Sequence, residues 1–189
     1  MLAQAYLRVG QPLDARRELD QALKISPEIL YALKGMTDVA NLYGELGDHQ
    51  QAVALYKQVL QREPDFYDAL YNGGLTYFLM GDDDQAEKLF LRATQVAPGL
   101  DAPFFYLGRI CLQKAQPEFA EAYFTKALKI NPKGYGLHYW LGQAFAARGQ
   151  FIQARNAYAE ELKLYPANPE AIAQLSVGST PRQPKLESK

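Results

Sequence analysis

The 189-residue chain has one cysteine, two histidines, one tryptophan and a formal charge of −1. A lone cysteine, Cys111, excludes an internal disulfide framework and reads as a small buried apolar residue. Lysine and arginine are dispersed, so the electrostatic footprint of nucleic-acid binding is missing, as is any net pull toward an anionic membrane. Apolar runs are only a few residues long, and no segment is expected to span a bilayer. The opening "MLAQAYLRVGQPLDARRELD" has neither a basic n-region nor an apolar h-region. No signal peptide is expected, and the cytoplasm is the default compartment.

Catalytic groupings are scarce as well. His49, in the turn "LGDHQQ", has Glu45 and Asp48 nearby but reads as a solvated turn residue rather than a metal ligand. His138 reads as a packing residue. The acidic run Asp82–Asp84 lacks the further ligands of a twelve-residue calcium loop and fits helix-start charge instead. Gly73 and Gly74 are not followed by the Lys and Ser/Thr of a phosphate cradle. No nucleophile has a base at usable spacing. No catalytic residue, metal or cofactor is expected, and the chain does not read as an enzyme.

What the sequence has in quantity is self-similarity. "GDHQQAVALYKQVLQREP" begins at Gly47, and a near copy, "GDDDQAEKLFLRATQVAP", begins at Gly81. Pro64, Pro98, Pro132 and Pro166 fall at one constant spacing, with Pro27 ahead of them. Twelve residues before each proline stands alanine: Ala15, Ala52, Ala86, Ala120 and Ala154. Eight before stands a large side chain: Leu19, Tyr56, Phe90, Phe124 and Tyr158. Five before come Ala22, Val59, Ala93 and Ala127, and then a departure, Glu161. Each copy holds two apolar stripes at helical spacing, split near Gly10, Gly47, Gly81, Ala115 or Gly149. Small residues at Ala40, Gly74, Gly108 and Gly142 leave room for two helices to cross closely. The closing proline disfavours α geometry in the residue before it. Two short helices cannot bury both stripes alone, but stacked copies can.

The pattern resembles the tetratricopeptide repeat family, most closely in Phe104, Leu107, Gly108, Ala120, Phe124, Ala127 and Pro132, and in Leu141, Gly142, Phe145, Ala154, Tyr158 and Pro166. The resemblance implies an all-α fold, a right-handed superhelical solenoid of antiparallel helix hairpins. The repeats are expected at about 1–29, 30–66, 67–100, 101–134 and 135–168. A capping helix over 168–177, opened by Asn168 or Pro169, and a disordered tail over 178–189 complete the array. The first proline step, Pro27 to Pro64, exceeds the later ones by nearly one helical turn. That excess predicts a first helix of the second repeat starting a turn early, near Ile29, or a longer loop there. The first repeat begins partway through its first helix and would expose Leu2, Tyr6 or Leu7. Either the chain continues a longer protein or another subunit covers that edge.

On the first helix of each repeat, positions 2, 5, 6, 9, 12 and 13 lie opposite the core stripe at 100° per residue. In the family that side faces the concave surface and binds extended peptides or helices. The expected groove residues are Lys34, Asn41, Tyr71, Asn72, Leu75, Phe78, Phe105, Arg109, Leu112, Tyr139 and Gln143. Thr37 lies on the same face. Tyr106 and Trp140 line the groove or pack between repeats. Asn41, Asn72 and Gln143 suit a peptide main chain, because an amide both donates and accepts. Arg109 suits a carboxylate. One family subtype clamps the acidic C-terminus of a chaperone peptide. Asn41 and Asn72 match its pattern, but Thr37, Ala102 and Tyr106 stand where it has cations, so an apolar or aromatic peptide or helix is expected instead.

Three functional readings follow: a non-catalytic scaffold that binds a peptide or helix of another protein, a structural self-assembler in which the uncapped N-terminal edge or the groove itself meets another copy, and the accessory region of a larger enzyme or secretion machine.

Overall fold

The computed structural model describes residue 6, residues 9–25 and residues 30–177. The leading "MLAQA", the start expected at Ile29, the self-association edge at Leu2 and Leu7, and the tail 178–189 lie outside them. All secondary structure among the described residues is helical. The chain divides into two compact units, Met1–Gly99 and Leu100–Lys189.

The N-terminal unit holds α1 (Pro12–Ile25), α2 (Leu30–Glu45), α3 (His49–Arg62), α4 (Tyr67–Leu79) and α5 (Asp83–Val96). Helices α2 and α3 form one antiparallel hairpin, and α4 and α5 the next. At 16 residues against 13 for α4, α2 carries the extra length of the first proline step as helix. Gly47 and Gly81 adopt φ of 82° and 78°, the left-handed geometry that closes a helix without a Cβ clash. The amides of Asp48 and Asp82 then donate back to the Tyr43 and Tyr77 carbonyls at 2.8 and 2.9 Å. The same two aspartates start the following helix, each side chain accepting an amide three residues on, from Gln51 and Gln85. Ala52, Val59, Ala86, Phe90 and Ala93 are fully buried, and each buried aromatic contributes roughly 1.5–3 kcal/mol. A Cβ on Gly74 would meet the Phe90 ring at 2.9 Å, so the glycine is what lets α4 lie on that ring. Tyr6 is half-buried and packs against the core cluster rather than standing exposed.

The C-terminal unit holds α6 (Asp101–Gln113), α7 (Pro117–Ile130), α8 (Leu137–Ala147), α9 (Phe151–Leu164) and α10 (Pro169–Val177). Its hairpins, α6 with α7 and α8 with α9, repeat the close approach: a Cβ on Gly108 would meet Phe124 at 2.6 Å, and Gly142 lies as tightly on Tyr158. Cys111 is buried, as expected. His138 is only half-buried; Leu137, one residue earlier, fills the core position beside Phe104 and Ala127. The reason is that α8 starts late, after a left-handed Gly136, with φ 77°.

Glu161, the departure from the small-residue column, is 0 % exposed. Its Oε1 accepts from the Gly136 amide at 2.8 Å and from Asn168 Nδ2 at 3.0 Å, and its Oε2 accepts from the Tyr139 amide at 3.4 Å. An acidic side chain thus satisfies the amides at the start of α8, where the helix dipole favours it. Asn168 in turn accepts the Ala171 amide at 3.0 Å and caps α10, with Pro169 at the first helical position. One buried group therefore joins the starts of two helices.

Candidate binding recesses on the first-helix faces

In the N-terminal unit a recess of about 430 Å³ opens between α2, α3 and α4, lined by Asn41, Glu45, His49, Asn72, Leu75 and Leu79 among others. Three expected groove residues, Asn41, Asn72 and Leu75, meet there. Asn41 Oδ1 accepts the Tyr56 hydroxyl at 2.6 Å, which fixes the orientation of the amide. Burial pushes the Tyr56 hydroxyl up to about 12, with a Thr76 hydrogen bond opposing and the Glu45 charge adding to the rise. Lys34 is exposed and does not line the recess. Tyr71 also stands apart, stacked on Tyr67 at 6.0 Å and tilted against Phe90 at 6.1 Å. Phe78 is half-buried and outside the lining. Thr37 is a correction: it is 2 % exposed, and its hydroxyl donates to the Leu33 carbonyl at 2.9 Å. That back-bond satisfies the polar group within the helix and lets the residue pack inward. Burial raises the Asp38 carboxyl, with Lys34 opposing and Asp68 adding to the rise.

In the C-terminal unit a recess of about 340 Å³ lies between α6 and α8, lined by Arg109, Leu112, Gln113, Trp140, Gln143 and Ala147. Arg109, Leu112 and Gln143 were expected in the groove and come together here. The Arg109 guanidinium lies 4.6 Å from the Trp140 ring centre and 5.8 Å from that of Phe105. Phe105 is half-buried beside the recess, its ring against Phe124 at 6.1 Å and Trp140 at 6.4 Å. Tyr106 packs edge-on against it at 5.2 Å. Trp140 combines both of its expected roles: it leans on Phe124 at 6.5 Å and also lines the recess. Tyr139 packs on Trp140 and Tyr158 at 5.4 and 5.8 Å. Burial first and the Glu170 charge second raise its hydroxyl, while a hydrogen bond with Gln143 opposes them.

Helical periodicity missed three lining residues: Thr76, on α4 itself beside the expected face, and His49 and Tyr56. His49 and Tyr56 arrive from α3, and the period of one helix carries no information about its neighbour's side chains. Among the described residues no group of three or more His, Cys, Asp or Glu is placed to hold a metal ion. No described helix is long and apolar enough to cross a membrane.

Helix hairpins with a small residue at each crossing, a left-handed turn and a closing proline define a helical-repeat protein. Two family models described as tetratricopeptide repeat match, one over residues 45–107 and the other over residues 105–169. The chain belongs to the tetratricopeptide repeat family. It is 35% identical over 78 residues to a Caenorhabditis elegans protein, tetratricopeptide repeat protein 8, a match covering 41% of this chain and 15% of that relative's length. Among solved structures, MamA superposes with a TM-score of 0.78 at 17% identity, covering 88% of this chain and 95% of that one. MamA 41-end from Desulfovibrio magneticus RS-1 gives 0.75 at 21% identity, covering 89% and 93%. YrrB, described as a tetratricopeptide repeat protein with an unusual peptide-binding site, gives 0.72 at 21%, covering 84% and 80%. At these identities the likeness establishes the fold: an all-α solenoid of antiparallel helix hairpins.

Proposed function

We propose that the chain is a non-catalytic protein–protein interaction scaffold whose recesses take an apolar or aromatic peptide or helical segment of another protein. The observation that carries this reading is the pairing of amide and aliphatic side chains in each recess, on helix faces opposite the buried stripe. Asn41 and Asn72 stand beside Leu75 and Leu79 in one, and Gln143 beside Leu112 in the other. Amides match a main chain, and aliphatic groups gain from burial against side chains. Leu79 is 63 % exposed, an apolar group that a partner would cover. The description of YrrB as having a peptide-binding site shows that the fold hosts such sites elsewhere.

The test is selection of dodecapeptides from a random displayed library against the full chain. Binders should lose at least tenfold in affinity, by fluorescence anisotropy, against a Leu79→Asp/Ala147→Asp variant of unchanged helicity. Both positions are exposed and line the two recesses. Binders indifferent to both substitutions would place recognition elsewhere on the molecule.

A further inference from the structure

We infer that the C-terminal edge of the array, between α9 and α10, docks an amphipathic helix of a partner protein in the register of a second repeat helix, with an aromatic side chain over Ser176. This surface is separate from the recesses on the first-helix faces. Helix α10 begins as a first helix does. One repeat length after Phe104 and His138 comes Ile172, after Leu107 and Leu141 comes Leu175, and after Gly108 and Gly142 comes Ser176. In α6 and α8 the second helix of the hairpin, α7 or α9, lies on that face, with the Phe124 and Tyr158 rings against Gly108 and Gly142. On α10 the corresponding Ile172 is 46 % exposed, against 9 % for Phe104, and Ser176 is exposed as well. The sequence then leaves the pattern. The column of Cys111 and Phe145 falls on Ser179, and Pro181 falls where α6 and α8 have Gln113 and Ala147. A helix interior does not accommodate proline, so the pattern of a complete hairpin is not repeated there.

A recess of about 490 Å³ lies between the two helices, lined by Asn156, Ala159, Leu162, Ile172, Leu175 and Ser176 among others. Its aliphatic walls gain from being covered. The eighth position of the register sets which helix fits. Gly108, Gly142 and Ala40 stand there in other copies, and each shares its core with a ring from its second helix: Phe124, Tyr158 and Tyr56. Ser176 is nearly as small as the alanine. Its hydroxyl turns back on its own helix, with the Ile172 and Ala173 carbonyls at 3.0 and 2.9 Å, and leaves a surface suited to an apolar ring. The visiting helix therefore carries an aromatic residue with small residues four before and three after it, as Ala120, Phe124 and Ala127 stand on α7. It comes from a partner rather than a second copy because this chain's own second helices are engaged. Ala52, Ala86, Ala120 and Ala154, the alanine column of α3, α5, α7 and α9, are at most 3 % exposed, and donating any of these helices would open its hairpin.

The probe is a synthetic peptide with the α7 sequence, residues 117–130, capped at both ends and labelled for fluorescence anisotropy. It should bind the full chain saturably, and its Phe124→Ala form should bind about tenfold more weakly. Ile172→Asp in the chain should weaken the unaltered peptide to a similar degree. Leu79→Asp/Ala147→Asp, which changes both first-helix recesses, should leave its binding unchanged. Should Ile172→Asp loosen α10, Asn156→Trp fills the recess from an exposed position of α9 and should block the peptide. Absence of saturable binding up to about 1 mM would overturn the inference and leave the first-helix recesses to be judged by their own selected peptides. Equal binding of the two peptides would overturn it, as would a loss of binding in Leu79→Asp/Ala147→Asp but not in Ile172→Asp. Self-association of the free chain in sedimentation velocity, abolished by Ile172→Asp, would assign the edge to a second copy and overturn it too.

Discussion

Ala115 holds a left-handed backbone, φ 55°, at the turn where the corresponding residues are Gly10, Gly47, Gly81 and Gly149. It makes the same pair of bonds as Gly47, Gly81 and Gly149 do: the Gln116 amide reaches the Cys111 carbonyl at 2.8 Å, and its own amide reaches the Leu112 carbonyl at 3.1 Å. The turn is therefore imposed by the hairpin, and alanine tolerates it at a cost of about 1–2 kcal/mol. Glycine removes that cost but loses roughly 0.5–1 kcal/mol in unfolded-chain entropy. Ala115→Gly should therefore stabilise the protein by about 0.5–1 kcal/mol, a rise of roughly 1–4 °C in Tm by differential scanning calorimetry. An unchanged or lower Tm would mean that the loop relieves the Cβ strain in another way. The turn's location was legible from sequence, because four of five positions are glycine. Its handedness at Ala115 was not, because alanine gives no signal of positive φ.

At the scale of the helix, Glu161 shows how a departure from the repeat becomes a joint. Where Ala127 and Ala93 fill the equivalent place with apolar atoms, Glu161 ties the Gly136 amide to Asn168 across 25 and 7 residues of sequence. Glu161→Ala would leave that amide and the Asn168 side chain without their acceptor inside the protein, and an unsatisfied buried polar group costs about 1–3 kcal/mol. The urea midpoint should fall accordingly, with less loss for Glu161→Gln, which keeps one carbonyl oxygen. The Ala171 amide, held by Asn168 Oδ1, should also exchange faster with solvent in the alanine variant. Equal midpoints for the native chain and Glu161→Ala would show that the network contributes nothing net. Helix ends elsewhere follow local rules. The residue ahead of Pro64, Pro98, Pro132 and Pro166 leaves α geometry, as Glu63 does at φ −129°, ψ 89° and Tyr165 at φ −133°, ψ 77°.

Across the whole molecule, the two compact units each carry a tyrosine whose hydroxyl is pushed up from an ordinary 10.0 to about 12, mainly by burial: Tyr56 in one and Tyr158 in the other. For a group whose folded value is raised, the folded chain holds its proton more tightly. The stability linked to it is fully present below pH 10 and is lost as pH rises toward about 12. Both units should therefore weaken in the same alkaline window, followed by denaturation midpoints together with the tyrosinate absorbance band. Tyr158→Phe should flatten the loss in the C-terminal unit, since it removes a buried hydroxyl that has no hydrogen-bond partner among the described residues. A loss unchanged in that variant would assign the alkaline transition to other groups.

The sequence by itself determined what is periodic. Alanine, aromatic and proline columns at a fixed spacing specify helix, turn and crossing, since each column answers a local steric demand that every hairpin repeats. It also distinguished the face of each first helix that lies opposite the core stripe. Only the tertiary structure decided which of those face residues share a recess. Thr37 turned inward because its hydroxyl found a carbonyl in its own helix, and Tyr71 went to Tyr67 and Phe90. His49 and Tyr56 joined from α3, while Arg109 on α6 came to lie on Trp140 of α8, with the whole of α7 between them in sequence. Helical period states which way a side chain leaves its own axis, whereas a recess is made where side chains from different helices meet, and that distance is set by packing.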